Sequence, residues 1–311
     1  MRSFLFLAAA MLPGVAMAQT APIETFSMQG WRPTLTLGEG DLVLQPVARL
    51  DLDAGTFWDQ PQTDGQPPRF DGGTNVRRAR LGVQGSFLRD FSYNFNAQFE
   101  PGPGNQFSWD TVYLQEGWVA YGGIPWVTIR AGSFTPLHTL EYSGSSFETL
   151  FMERASITNI AGSIAAGDSR YGAGAEFRAD RLFGSFYVTD GQSSARDDGR
   201  QRGVAGRVAG LAVDTGGFKL LVGASASYQF HPGTTGREAI RLRDYPQLRL
   251  SPLRLLDTGS MAADAGFTAG PDCPAPSAIC CSRPSINASG SIGPMPAIRP
   301  SRACISHWPI R

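Results

Sequence analysis

The sequence predicts an all-β fold of one kind, an antiparallel β-barrel that crosses a lipid bilayer, on three observations. Segments between Leu42 and Gln229 repeatedly place apolar and polar residues at alternate positions, the pattern of a strand with one oily and one wet face. The first residues read as an export leader. No later segment offers about twenty continuous apolar residues, so the strands and not helices must do the crossing.

The leader is justified by its parts. Met1 and Arg2 give a positive start, Phe4 to Val15 an apolar stretch, and Ala16-Met17-Ala18 the small residues expected before cleavage. Residues 1–18 are therefore expected to be a signal peptide, with the mature chain starting near Gln19. Barrel strands are expected from about residue 42 onward.

In 42–54, Leu44, Ala48, Leu50 and Leu52 share one face, while Gln45, Arg49, Asp51 and Asp53 share the other. In 76–88, Ala79, Leu81, Val83 and Phe87 oppose Arg78, Arg80, Gln84 and Ser86. Arg77 falls on the lipid parity, so it requires an interfacial position or a bulge that re-aims it. The most regular strand sets Phe91, Tyr93, Phe95, Ala97 and Phe99 against Ser92, Asn94, Asn96, Gln98 and Glu100. That division suits a wall between lipid and a water-filled lumen. In 111–121 either choice of parity puts Gln115 or Glu116 in lipid, which predicts a bulge or a strand end.

Further strands are expected at 126–134 with Arg130 inward, at 171–179 with Glu176 and Arg178 inward, and at 182–190. Two more fall at 204–211, with Arg207 inward, and at 220–229. The total is about ten. Leu88-Arg89-Asp90 and Ala179-Asp180-Arg181 are short enough to be periplasmic turns, and 60–74 and 191–203 read as long external loops. The longest connection, 135–169, is expected to fold inward as a constriction.

Composition narrows the function classes. The 27 basic residues balance the 27 acidic ones, which argues against a general electrostatic grip on nucleic acid. Lys219 is the only lysine, so the rest of the basic set is arginine, whose planar fork binds oxyanions bidentately. His138, Glu141, Ser143 and Asp168 share one loop, but the three histidines show no metal or nucleophile-elbow spacing. No enzyme, metal or cofactor is expected. A structural or adhesive barrel without anion selectivity is the alternative.

Asn75-Val76-Arg77-Arg78-Ala79-Arg80-Leu81-Gly82, Arg89-Asp90-Phe91-Ser92-Tyr93, Gly132-Ser133-Phe134-Thr135-Pro136 and Phe151-Met152-Glu153-Arg154 follow one another in order. Val188-Thr189-Asp190-Gly191, Ala205-Gly206-Arg207 and Leu256-Asp257-Thr258-Gly259 continue the series. Over about 42–264 the chain resembles the phosphate-selective porin O/P family. The resemblance implies a sixteen-stranded, homotrimeric porin in the lipid of a Gram-negative outer membrane, passing inorganic phosphate or related small anions. It places anion-binding arginines at Arg49, Arg77, Arg78, Arg154, Arg241 and Arg243. The chain departs from the phosphate-selective type at Ser92 and Tyr142, where lysines are implied, and at Gln115, where an aspartate is implied.

Residues 265–311 change character. They hold eight of the 22 prolines and all four cysteines, Cys273, Cys280, Cys281 and Cys304. The expected organisation is a partial barrel over 19–264 followed by an irregular tail read out of frame. About ten strands do not close at the diameter of sixteen, so the chain as written is expected to be a truncated pore.

Overall fold

The structure, a computed structural model, describes residues 23–29, 32–60, 70, 72–99, 112–144, 153–193, 201–215, 218–234, 237–245, 250–251, 253–254 and 256–272. The expected leader and the cysteines of the tail lie outside the described residues.

The chain forms a meander of long antiparallel strands: β1 (Ile23–Gln29), β2 (Arg32–Leu37), β3 (Leu42–Gly55), β4 (Gly73–Phe87), β5 (Phe91–Phe99), β6 (Val112–Ile124), β7 (Val127–Phe134), β8 (Arg170–Arg178), β9 (Leu182–Gln192), β10 (Arg202–Thr215) and β11 (Phe218–His231). After β11 come five short strands, β12 (Gly233–Thr234), β13 (Arg237–Ile240), β14 (Arg243–Asp244), β15 (Leu256–Asp257) and β16 (Met261–Ala262). The chain then returns as β17 (Gly266–Asp272). Strands β1 to β11 pair in sequence order and β17 pairs with β11, giving a sheet of 12 strands. Two short helices, α1 (Leu140–Ser143) and α2 (Ser156–Gly162), lie in the connection between β7 and β8.

Strands β3 to β11 are the nine segments legible from alternation. Among the described residues β1, β2 and β17 join these nine, and the sheet has 12 strands where the sequence suggests about ten. The boundary at Asp264 is corrected as well, because Gly266 pairs with Gln229 and Asp272 with Gly223. Alternation does continue there, with Phe267 and Ala269 exposed on one face and Thr268 and Asp272 turned to the other. Pro271 fits because β17 is an edge strand, where a missing ladder donor is tolerated.

Both expected bulges are present. Asp51 faces Arg78 but Leu52 faces Val76, so Arg77 is the extra residue of β4. Asn96 faces Glu116 but Ala97 faces Leu114, so Gln115 is the extra residue of β6. A bulge breaks the period of two, and each one turns to the wet face a polar side chain that strict alternation would send into lipid.

The outer face is apolar and open. Leu50, Leu52, Leu81, Phe95, Ile129, Phe186, Val188, Val208 and Val222 are all exposed there. An apolar surface of this extent requires lipid or another apolar medium. Aromatic residues gather towards both rims. At the short-turn end Phe87 stacks on Phe91 at 5.0 Å and Phe91 meets Tyr121 at 5.0 Å. Trp126 projects from the turn between β6 and β7, 70% exposed. At the long-loop end Tyr171 and Phe267 are exposed. Two such girdles bracket the apolar band of an outer-membrane strand set.

Glycine shapes the wall where a side chain must lie flat. The Tyr93 hydroxyl crosses β4 to donate to the Val43 carbonyl at 3.0 Å. It passes over Gly85, where an added Cβ would stand 1.8 Å from that same carbonyl oxygen. The main buried side chains lie on the inner face, under the β7–β8 connection, where Phe134 and Tyr187 meet at 5.3 Å with Ile164, Ala165 and Ala166 nearby in the core.

We expect Gly85→Val to destabilise the sheet by roughly 1–3 kcal/mol, since the wall cannot widen locally, and Tyr93→Phe to cost about 1 kcal/mol. Urea midpoints of the detergent-refolded protein would check both, and a Gly85→Val midpoint equal to that of the native chain would refute the close approach.

Candidate functional site

The connection from β7 to β8 runs across the inner face. On one side the Ser185 hydroxyl donates to the Leu137 carbonyl at 2.8 Å and the Thr189 hydroxyl to the Ala165 carbonyl at 2.7 Å, fixing the connection to β9. At Gly203 of β10 an added Cβ would come within 2.3 Å of the Ala165 side chain. The Arg207 guanidinium, on β10, reaches the Ser143 hydroxyl at 3.0 Å. On the other side, Glu153 contacts the β4 wall. The expected inward fold of 135–169 is thus present in its described part.

Glu153 joins an alternating set of charges. It accepts from Arg77 at 3.1 and 3.0 Å and from Arg78 at 2.8 Å. Arg78 also donates to Asp51 at 2.9 Å, and Asp51 accepts from Arg49 at 2.9 Å. Asp53 stands 3.9 Å from Arg77. The bulge in β4 makes this possible, because it lets the consecutive residues Arg77 and Arg78 both reach the same carboxylate. Burial works to raise the Glu153 pKa, but the hydrogen bonds and charges of Arg78 and Arg77 prevail and hold it below its usual 4.5.

Arg154 lies in the loop, with its guanidinium 4.2 Å from the Tyr142 ring centroid and 3.3 Å from Asp168. Asp168 also accepts from the Thr135 hydroxyl at 3.0 Å. Arg241 and Arg243 lie elsewhere, beside a cavity of about 580 Å³ that they share with Asp168, Arg170, Asp244 and Arg254. Arg241 donates to both oxygens of Asp257 at 2.7 and 2.5 Å, which holds that carboxyl well below the usual range. The six arginines therefore fall into a wall group, a loop residue and a mouth group.

Between these groups runs a polar wall. Arg80 donates to Gln98 at 2.6 Å. Glu116 accepts from Asn94 at 2.6 Å and from the Trp118 indole at 3.1 Å. Arg130 lies 4.3 Å over the Trp118 ring and 2.8 Å from Glu176, which also accepts from the Tyr187 hydroxyl at 3.0 Å. Sequence reading gave Arg80, Arg130 and Arg207 their inward direction but did not single out Arg170 or Arg254. Arg170 shares the inward parity of Glu176, a usable sign. Arg254 lies outside any alternating segment.

His138, Glu141, Ser143 and Asp168 do not converge. Ser143 donates to Thr139 and accepts from Arg207, Asp168 holds Arg154, and Glu141 accepts from the Ala155 amide. His138 is buried with neither ring nitrogen bonded among the described residues. Burial pushes its pKa down to about 4, with Asp272 pulling upward and Arg207 downward.

A sequential antiparallel sheet, apolar outside and polar inside, with a loop folded across its inner face, defines a transmembrane β-barrel of the porin class. The family model for phosphate-selective porin O and P matches residues 49–270, and the chain belongs to that family. A search of curated proteins finds no match. The family is one of outer-membrane channels and not of enzymes.

The depressed Glu153 pKa carries a sign. Docking of Glu153 on Arg77 and Arg78 is fully present above the carboxyl's ordinary 4.5 and is lost as pH falls through the lower value of the docked state. Single-channel conductance should therefore be the same at about pH 7 and pH 5 and change only below pH 4.5. Glu153→Gln should show the low-pH conductance at neutral pH.

Proposed function

We propose that the chain is a porin for passive diffusion of small anions, of phosphate or polyphosphate type, along a path lined by Arg49, Arg77, Arg78, Arg154, Arg241 and Arg243. The observation that supports this reading is the inward connection, whose Glu153 stands on the Arg77–Arg78 pair of the β4 wall. In such a passage an anion sheds part of its water, and guanidinium groups replace it with bidentate, charge-assisted hydrogen bonds. Export by a cleaved leader, insertion in outer-membrane lipid and association as a homotrimer belong to the same proposal.

One observation favours a second reading, a barrel without anion selectivity. In the wall group Asp51, Asp53 and Glu153 face Arg49, Arg77 and Arg78, so the opposing charges balance and the distant field is weak. Under the first reading an anion exchanges places with a carboxylate at short range; under the second the ion pairs only brace the loop.

Reversal potentials in a potassium chloride gradient separate the two. The Arg78→Gln, Arg241→Gln double variant should lose anion over cation preference by about tenfold, the equivalent of one charged hydrogen bond at each position being weakened in part. Anion selectivity that survives both substitutions would refute the arginine path.

A further inference from the structure

The inner face changes character along the strands. Arg49 pairs with Arg80 and Arg80 with Gln98, which makes one cross-strand row on β3, β4 and β5. Nearer the short turns, Gln45 pairs with Gln84, Gln84 with Asn94 and Asn94 with Trp118, a second row that crosses β3 to β6. At the next inward position Ser86 pairs with Ser92. The second row stands about 13 Å from the first, at roughly 3.3 Å per strand residue. It carries amides and an indole in place of guanidinium groups.

Gln45, Gln84, Ser86, Ser92, Asn94 and Trp118 line a cavity of about 370 Å³, and among the described residues no charged side chain lines it. That volume lies within the range of small-molecule sites. The row is tied together from behind. Gln45 donates to the Thr34 hydroxyl at 3.0 Å, Gln84 to Gln45 at 3.1 Å, and Asn96 to Asn94 at 3.1 Å. The Trp118 N–H is used on Glu116, with the Arg130 guanidinium 4.3 Å from the ring centroid, so the indole offers a ligand apolar surface alone. By contrast, the hydroxyls of Ser86 and Ser92 and the Gln84 Oε1 make no hydrogen bond among the described residues. Each hydroxyl can donate and accept, and the amide oxygen can accept. Ser92 opposes Ala120, so Trp118 is its diagonal neighbour across β5 and β6, about 7–8 Å away. Hydroxyl partners and an apolar ring surface thus lie within one small ligand's reach, with no charge of either sign in the lining.

We propose that this cavity is a subsite for an uncharged carbohydrate ring, with a C–H face of the sugar on Trp118 and its hydroxyls on Ser86, Ser92 and Gln84. A pyranose fits, being rigid, with hydrogen-bonding groups around its rim and apolar C–H faces. The subsite is separate from the arginine path and does not depend on anion selectivity.

The test measures dissociation constants of glucose and of sorbitol, its open-chain hexitol, by NMR saturation transfer on the full chain refolded in a sugar-free detergent. Glucose should bind at least about tenfold more tightly than sorbitol, because only glucose presents a preorganised ring face. Trp118→Ala should weaken glucose at least about tenfold and bring it to the level of sorbitol. That change also releases Glu116 and Arg130, so a second variant carries the test if the first does not fold. In the Ser86→Ala, Ser92→Ala double variant no internal side-chain hydrogen bond among the described residues is lost, and glucose should weaken about tenfold, the sum of one net hydrogen bond at each position. Inorganic phosphate at the same concentration as glucose should leave glucose binding unchanged. A native chain that does not distinguish glucose from sorbitol overturns the inference. So does a serine double variant that binds glucose as the native chain does, or displacement of glucose by phosphate, which would seat the sugar among the arginines. None of these readouts uses chloride selectivity, so failure of the arginine path is a separate result.

Discussion

Lipid offers no partner to a peptide group, and most of this structure follows from that constraint. Every strand inside the bilayer must give its N–H and C=O groups to a neighbour, which is why the chain runs as a sequential meander in which β2 to β11 have partners on both sides. The same constraint assigns the two faces. Leu50, Phe95, Ile129 and Val208 can stand exposed because hydrocarbon receives them, and the polar residues beside them in sequence are left to a common interior.

Filling that interior is the second task. In a sandwich a facing sheet would cover the inner side chains; here the β7–β8 connection does so. It buries Phe134 and Tyr187 and supplies carbonyls to Ser185 and Thr189. Its far side is held by charge, through Glu153 on Arg77 and Arg78. The carboxylate that holds the connection against the wall therefore also occupies the guanidinium groups of Arg77 and Arg78. The mouth cavity differs, because Arg243 and Arg254 have no carboxylate within ion-pair distance among the described residues.

Much of the wall was legible in the sequence, including its exceptions. A period of two fixes the direction of Arg49, Arg78, Arg80 and Arg207, and the two places where it failed, Arg77 and Gln115, are both bulged residues. Legibility stopped where alternation is short or interrupted. The strand Gly266–Asp272 was lost in a proline-rich surrounding, although its own residues alternate. The partners of Arg78 were beyond reach for a different reason: Glu153 lies 75 residues away in sequence, and no local pattern relates the two.

The sequence by itself determined the class of the protein, since lipid on one side and water on the other write a period of two that survives without any knowledge of neighbours. It also determined that Arg49, Arg78, Arg80, Arg130 and Arg207 face inward. Only the tertiary structure decided what those arginines meet, because that depends on how a long connection folds across the lumen. Asp51 and Glu153 come to neutralise one group of arginines, while Asp244, with an oxygen that has no donor among the described residues, comes to stand beside another. Charge pairing acts over a few ångströms in space and leaves no period along the chain.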